Sequence, residues 1–213
     1  CSMTSLEARL VHRDSQLVQL LDPPFDTSKP SPGYIQGYVP GVRENGGQYT
    51  HAAVWAAMAF AALGDRERAW ALYSMLNPLS HAGDAAAVAI YQVEPYVIAG
   101  DIYANASHVG RGGWTWYTGS AGWMLRLTTE SLLGVQRCGN RLRLCPLLPS
   151  HWKGFDMQYR FGTSRYDIRC HRATGQAATS VVQDGVETEG DAITLVDDGQ
   201  VHAIIVCLGH ALA

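Results

Sequence analysis

A carboxylate and an imidazole flank a glycine pair in the segment GVRENGGQYTH, residues 41–51. Glu44 can accept hydrogen bonds from hydroxyl groups, and His51 can donate one to an anion. The glycines between them allow the backbone to approach a ligand closely. Two interpretations stay open from these residues alone. They form a binding site, or Glu44 and Asn45 cap the following helix while His51 is a core histidine with a partner.

A second segment, GRGGWTWYTGSAGW at residues 110–123, leads from glycines and aromatic residues into a predicted helix. Backbone N–H groups and the Thr118 hydroxyl, next to Gly119, would form an anion site at the start of that helix. Aromatic faces suit the apolar faces of sugar rings, whereas the alternative is an aromatic corner that fills the core of the loop. The aromatic candidates are Trp114, Trp116 and Tyr117.

Glu94 is a third candidate, followed by Pro95 at the start of a helix predicted over 93–103. A ligand role and simple complementarity to the helix dipole explain an acid there equally well. The sequence contains no HExxH motif, nucleophile elbow or CxxC pair, so it indicates no metal site.

The overall composition excludes several classes of partner. The net charge is -3, only 16% of residues are charged, and Lys and Arg are scattered. This predicts neither nucleic-acid binding nor binding to anionic membranes. No stretch approaches the roughly 20 apolar residues that span a bilayer. We therefore expect a soluble segment with no direct membrane insertion and a neutral or small anionic ligand.

The elements that must position these residues are mainly helices in the first two-thirds of the chain. The pattern predicts a helical hairpin over 49–63 and 66–76, turning at Gly64, and a second helix pair over 93–103 and 119–133. Long glycine-rich and aromatic loops precede helices in both pairs. This alternation is typical of part of an (α/α) barrel.

The last third predicts short strands, typical of a small β-sandwich or jelly roll. Gly139-Asn140 would turn a hairpin that pairs Cys138 with Arg141, and residues 197–199 would form another hairpin turn. We predict two domains, 1–146 for the barrel part and 147–213 for the β-sandwich. The predicted strands are 135–138, 141–145, 155–161, 165–172, 192–196 and 201–208.

Three stretches together resemble the family 94 glycoside phosphorylases, which include cellobiose and chitobiose phosphorylases, and in particular the C-terminal region of cyclic β-1,2-glucan synthases. They are GYVPGVRENGGQYTHAAVWAAMAF, YQVEPYVIAGDIYA and GRGGWTWYTGSAGWMLRLTTESLLG. The resemblance covers about residues 4 to 210. It implies the closing helices of an (α/α)6 barrel, then a β-sandwich. The implied reaction is phosphorolysis of a β-1,2-glucosidic bond with inversion, giving α-glucose 1-phosphate.

The resemblance also implies roles for individual residues. His51, Thr118 and Gly119 match phosphate-binding positions, and Glu44 matches a position at the sugar subsite. Trp114, Trp116 and Tyr117 would shape the pocket beside them. The implied partners are a β-glucan oligosaccharide and phosphate; inorganic phosphate is the co-substrate, with no cofactor and no metal.

The family's general acid is an aspartate in an Asp-Trp-Asn-Asp-like motif, which this sequence lacks. We therefore expect that acid upstream and expect this chain to be inactive alone. An incomplete helical ring would expose an apolar inner face, to be covered by the remainder of the parent chain or by a homo-oligomer. A synthase parent would hold the module at the cytoplasmic side of the inner membrane.

Two other functions compete with this hypothesis. One is a noncatalytic carbohydrate-binding or structural fragment of such an enzyme, which would bind glucan without dependence on phosphate. The other is a complete (α/α)-barrel hydrolase that releases glucose; the missing acid argues against it.

Overall fold

The computed structural model describes residues 2–173 and 179–209. The chain divides into two compact units, one up to Leu127 and the other from Thr128. The first is mainly helical and the second mainly β, which confirms the predicted order of helices followed by strands. The predicted domain boundary at 146 lies within the second unit.

The described part of the first unit contains five α-helices and four two-residue strands. The helices are α1 (Ser2–Leu10), α2 (Thr50–Ala62), α3 (Arg66–Leu76), α4 (Ala85–Tyr91) and α5 (Thr118–Arg126). The strands are β1 (Val11–His12), β2 (Leu17–Val18), β3 (Gln48–Tyr49) and β4 (Asp101–Ile102). Antiparallel pairing joins β1 to β2 and β3 to β4. None of the helices in the described ranges is long and apolar enough to cross a membrane.

The hairpin of α2 and α3 confirms the prediction and forms much of the core of this unit. Gly64 ends α2 with a φ of 76°, a conformation that glycine adopts without strain. The Asp65 carboxylate then accepts a hydrogen bond from the Arg68 N–H at 3.2 Å, which caps α3. The buried residues of the two helices include Ala53, Val54, Ala57, Phe60, Ala69, Leu72 and Leu76.

The helix predicted over 93–103 is wrong. The helix of this region is α4, capped by Asp84, whose carboxylate accepts from the Ala87 N–H at 2.8 Å. It ends at Tyr91, and Gln92 follows with a φ of 58°. Turns follow, and Asp101 and Ile102 then form a strand because β3 supplies backbone partners. This pairing is not visible in local periodicity.

The helix predicted over 119–133 is present, but it changes its winding. α5 continues directly into a π-helix over Leu127–Leu132. Met124, Leu127 and Leu132 are buried.

The second unit contains eight described strands in two sheets. They are β5 (Val135–Cys138), β6 (Arg141–Leu144), β7 (Gly154–Phe161), β8 (Ser164–Arg172), β9 (Ser180–Gln183), β10 (Val186–Glu187), β11 (Ala192–Thr194) and β12 (Val201–Leu208). One sheet has the order β10-β9-β12-β8-β7 and the other β11-β6-β5. The predicted hairpin is confirmed, with Cys138 opposite Arg141.

The turn predicted at 197–199 does not join a hairpin. It connects β11 of the three-stranded sheet to β12 of the five-stranded sheet. Asp197 accepts hydrogen bonds from the Thr163 N–H and hydroxyl at 2.7 and 2.6 Å. The Ser164 hydroxyl donates to Asp198 at 2.9 Å. The aspartates thus anchor a crossing between sheets, a role that requires non-local partners.

Candidate functional site

Asn45 fixes the long loop that precedes α2. Its side chain is fully buried, and its amide donates to the carbonyl oxygens of Phe25 and Tyr38, both at 2.8 Å. Its Oδ1 accepts from the Phe25 N–H at 2.7 Å. The residue at the cap position of α2 is Tyr49, without a side-chain cap. The alternative in which Glu44 and Asn45 cap this helix is therefore wrong.

Gln48 connects the end of this loop to β2 and to the start of α2. Its buried Oε1 accepts from the Val18 N–H at 2.9 Å, and its Nε2 donates to the Thr50 hydroxyl at 3.3 Å. These bonds hold the loop end in place. His51 consequently lies in the first turn of α2.

A small cavity of about 70 Å³ lies beside the β3–β4 pair. It brings together three predicted site residues, Glu44, Trp114 and Tyr117, with residues that the sequence did not single out. The complete lining is Arg43, Glu44, Tyr49, Gly100, Asp101, Trp114, Tyr117 and Ser120. The other predicted site residues, His51, Trp116, Thr118 and Gly119, are not part of this lining.

Three buried polar atoms in this region have no hydrogen-bond partner within the described residues. They are Glu44 Oε2, His51 Nε2 and Asp101 Oδ2. Leaving such atoms unpaired costs about 1–3 kcal/mol each, so most of them in folded proteins have partners. Since no described residue supplies these partners, the atoms are suited to bind the polar groups of a ligand.

Asp101 is the residue of this group that sequence analysis missed. Its side chain is 2% exposed, and Oδ1 accepts from the Trp114 N–H at 3.0 Å. Burial raises the pKa of Asp101 above its usual range. The signal in the sequence was the Gly-Asp pair inside YQVEPYVIAGDIYA, but a position within a supposed helix gave no reason to place it at a site.

Arg43 supplies positive charge at the same cavity. Its guanidinium lies 3.8 Å from the centre of the Trp114 ring, and Nη1 donates to the Tyr38 hydroxyl at 3.4 Å. A cation over an indole face is held by the ring quadrupole. Its backbone φ of 50° is unusual for a residue other than glycine. The arginine is thus held in a defined orientation by its neighbours.

His51 lies in an aromatic cluster that connects α2 to α5. Its ring centre is 6.1 Å from that of Tyr49, 4.7 Å from that of Trp55 and 5.7 Å from that of Trp123. These rings fix the orientation of the imidazole, while Nε2 has no described partner. The structure therefore does not support a core histidine with a satisfied Nε2.

Thr118 and Gly119 are exposed and form the first turn of α5. No acidic side chain occupies that turn, and the cap residue Tyr117 makes no side-chain cap. The first N–H groups of a helix have no partners within the helix and attract anions. The His51 ring lies beside the ring of Trp123, which belongs to the second turn of the same helix. The structure thus brings α5 next to the segment that carries His51, but it shows no direct contact between His51 and Thr118.

Trp116 is held on the surface in a defined orientation. Its side chain is 67% exposed, and its backbone φ is 63°. The indole N–H donates to Glu94 Oε1 at 3.1 Å, and the Tyr96 ring lies edge-on at 6.4 Å. Hydrogen bonds from the Glu94 backbone and from Trp116 lower the pKa of Glu94. Glu94 is therefore a partner of an exposed indole, not the first residue of a helix.

Comparison with known proteins identifies relatives of this chain. The family described as "Glycosyl hydrolase 94 superfamily, catalytic domain" matches residues 1–134. The cyclic beta-(1,2)-glucan synthase NdvB of Rhizobium meliloti is 47% identical over 182 residues, 84% of this chain and 6% of that protein. Solabiose phosphorylase of Paenibacillus borealis is 30% identical over 193 residues, 86% of this chain and 24% of that enzyme.

The 1,2-beta-oligoglucan phosphorylase of Listeria innocua is 28% identical over 140 residues, 59% of this chain and 13% of that enzyme. The chain thus spans about a quarter or less of the length of these three relatives. The family match covers more than half of the chain and includes every candidate site residue described above. The chain therefore belongs to the glycosyl hydrolase 94 superfamily.

Proposed function

We propose that this chain forms the phosphate- and sugar-binding part of an inverting phosphorylase module that acts on β-glucans. In this reaction a phosphate oxygen attacks the anomeric carbon, the glucosidic C–O bond breaks, and the leaving oxygen takes a proton from a general acid. The products are α-glucose 1-phosphate and a shortened glucan. The observation that carries the proposal is that Glu44 Oε2 and His51 Nε2 are both buried without a described partner on one short segment.

The proposed roles follow from the hydrogen-bonding chemistry of each group. His51, in the form that carries a proton on Nε2, and the Thr118 hydroxyl would donate to phosphate oxygens, together with the first N–H groups of α5. Glu44 would accept from a sugar hydroxyl. Phosphate is itself the nucleophile, so one carboxylic acid suffices in place of the two carboxyl groups of an inverting hydrolase.

We propose that the general acid is supplied from outside this chain. The sequence contains no Asp-Trp-Asn-Asp-like motif. The small fraction of each relative that the chain covers leaves ample room for such a motif elsewhere in a longer protein. On the same grounds, the helices of the first unit would be the closing part of an (α/α)6 barrel. We expect the chain alone to be inactive.

β-1,2-Linked glucan is the substrate that we propose. Two of the three relatives named above, the Rhizobium synthase and the Listeria phosphorylase, carry a 1,2-linked β-glucan in their names. The identity to the synthase, 47%, also exceeds the 30% identity to solabiose phosphorylase, which supports the 1,2 linkage.

The test is phosphate-dependent release of glucose 1-phosphate from β-1,2-gluco-oligosaccharides, measured for this chain and for the same chain with its upstream sequence. We expect release only by the longer protein, and loss of that release in His51→Ala and Thr118→Ala. Asp26→Asn, at an exposed loop position, is the matched control and should retain activity. Release by the short chain would contradict the external acid, and release by neither protein would contradict the phosphorylase.

A noncatalytic carbohydrate-binding role is the second candidate. It is favoured by three exposed aromatic side chains: Trp114 (54%), which lines the cavity, and the neighbouring pair Trp116 (67%) and Tyr96 (72%). Such faces bind sugar rings without any need for phosphate. Isothermal titration with the oligosaccharide separates the two functions. Equal glucan affinity with and without phosphate, combined with no turnover by the longer protein, would support the noncatalytic role.

A further inference from the structure

Backbone pairing holds Asp101 beside the segment that carries Glu44. Asp101 is paired with Tyr49 in the β3–β4 register, and the Thr50 N–H donates to the Gly100 carbonyl at 3.0 Å. On its other side, the Gly113 N–H donates to the Asp101 carbonyl at 2.9 Å. Bonds on both sides leave the Asp101 backbone little freedom to move.

The orientation of the carboxylate is also restricted. Oδ1 accepts from the Trp114 N–H, and a Cβ atom at Gly113 would lie only 2.3 Å from that oxygen. Glycine is therefore required at 113 for the carboxylate to keep this position. Oδ2 is the atom that remains without a described partner in a side chain that lines the cavity.

The cavity is suited to hydroxyl groups and not to an anion. Its volume of about 70 Å³ is below the range of about 300–1,000 Å³ for pockets that enclose whole ligands, so it would take only part of a sugar. Two carboxylates, Glu44 and Asp101, line it with one guanidinium, that of Arg43. When both are ionised, the excess of negative charge disfavours phosphate. Neutral hydroxyl groups could instead donate to both unpaired carboxylate oxygens.

We propose that Asp101 is a second sugar-binding residue, which accepts a hydrogen bond from a hydroxyl of the same sugar unit that Glu44 binds. This inference rests on the proposed function only because it assumes that the ligand is a glucan. Removal of a hydrogen bond to a charged group weakens binding by about 10- to 100-fold, so Asp101 would discriminate among sugars by the position of a single hydroxyl.

The experiment measures binding of a β-1,2-linked glucose oligosaccharide and of its monodeoxy analogues by isothermal titration. It uses the chain with its upstream sequence, as wild type, Asp101→Asn and the control Asp26→Asn. Asparagine can keep an oxygen for the Trp114 N–H while an amide donor replaces the unpaired acceptor. We expect about 10- to 100-fold weaker sugar binding by Asp101→Asn, with phosphate binding unchanged.

The deoxy analogues separate recognition from damage to the fold. In the wild type, removal of one hydroxyl should weaken binding, and in Asp101→Asn that penalty should disappear. A penalty of the same size in both proteins, or an unchanged affinity of the variant for the parent sugar, would overturn the inference. A deoxy penalty that depends on Asp101, together with no release of glucose 1-phosphate, would support the inference while refuting the phosphorylase. Glucose 1-phosphate release that is unchanged in Asp101→Asn would refute the inference while supporting the phosphorylase.

Discussion

At the scale of single residues, Asp101 shows how a binding site opposes stability. Its carboxylate is buried, one oxygen has a backbone donor, and the other has no partner within the described residues. Burial disfavours the charged form and raises the pKa above the ordinary value of 3.8. The folded-state pKa thus exceeds the unfolded one. The stability that the group contributes is present below the unfolded pKa and is lost as the pH rises through the folded pKa.

This sign predicts a stability gain for Asp101→Asn that grows with pH. Because the amide cannot ionise, the free energy of unfolding of the variant should increase relative to that of wild type as the pH rises above about 4. Urea unfolding at several pH values measures this difference, with Asp26→Asn as the control. A difference that does not change with pH would show that the charge of Asp101 costs no stability.

At the scale of elements, the hairpin of α2 and α3 depends on one backbone conformation at Gly64. Its φ of 76° lies in the left-handed region, and a Cβ atom built there meets nothing within 4 Å. A substitution would therefore act through the backbone and not through a clash. Gly122, inside α5, is also exposed and has free space around a Cβ atom, but its φ is not positive.

The two glycines should respond to alanine with opposite signs. Gly64→Ala should destabilise the chain by about 1 kcal/mol, whereas Gly64→Asn should cost less because asparagine tolerates the left-handed region. Gly122→Ala should stabilise by about 0.5–1 kcal/mol because alanine has the higher helix propensity. Chemical denaturation gives all three values. Destabilisation by both alanine variants would contradict a purely conformational origin.

At the scale of the whole molecule, a charge cluster makes the second unit sensitive to pH. His202 Nδ1 lies 2.8 Å from Asp184 Oδ2, and Nε2 lies 3.3 Å from Asp198 Oδ1. The hydrogen bond to Asp184 raises the pKa of His202 above 6.5, although partial burial acts against it. The histidine therefore contributes stability that is fully present below pH 6.5 and lost as the pH rises through its folded pKa.

We expect the thermal stability of the second unit to fall as the pH rises above about 6.5. In His202→Gln this dependence should flatten, because glutamine keeps a donor but carries no titrating charge. Calorimetry across this range tests it, with His151→Gln, at an exposed position, as the matched control. A slope in His202→Gln as steep as that of wild type would assign the dependence to other groups.

Elements whose signals are local could be predicted from the amino-acid sequence. The turn at Gly64 and the hairpin around Gly139-Asn140 follow from residues a few positions apart, and the structure contains both. The family was determined in the same way, since its motifs are continuous stretches of sequence. The roles assigned to His51, Thr118 and Gly119 stay predictions that the proposed experiments test.

Contacts between residues far apart in the chain could be located only in the folded structure. Pairing of β3 with β4 replaced a predicted helix by a strand and placed Asp101 beside Glu44. Asn45 became a loop anchor instead of a cap, and Asp197 became an anchor between two sheets. In each case the deciding partner lies far away in the chain. The free energy of such non-local hydrogen bonds outweighs local secondary-structure propensity. These bonds produce no periodic pattern in the sequence from which they could be predicted.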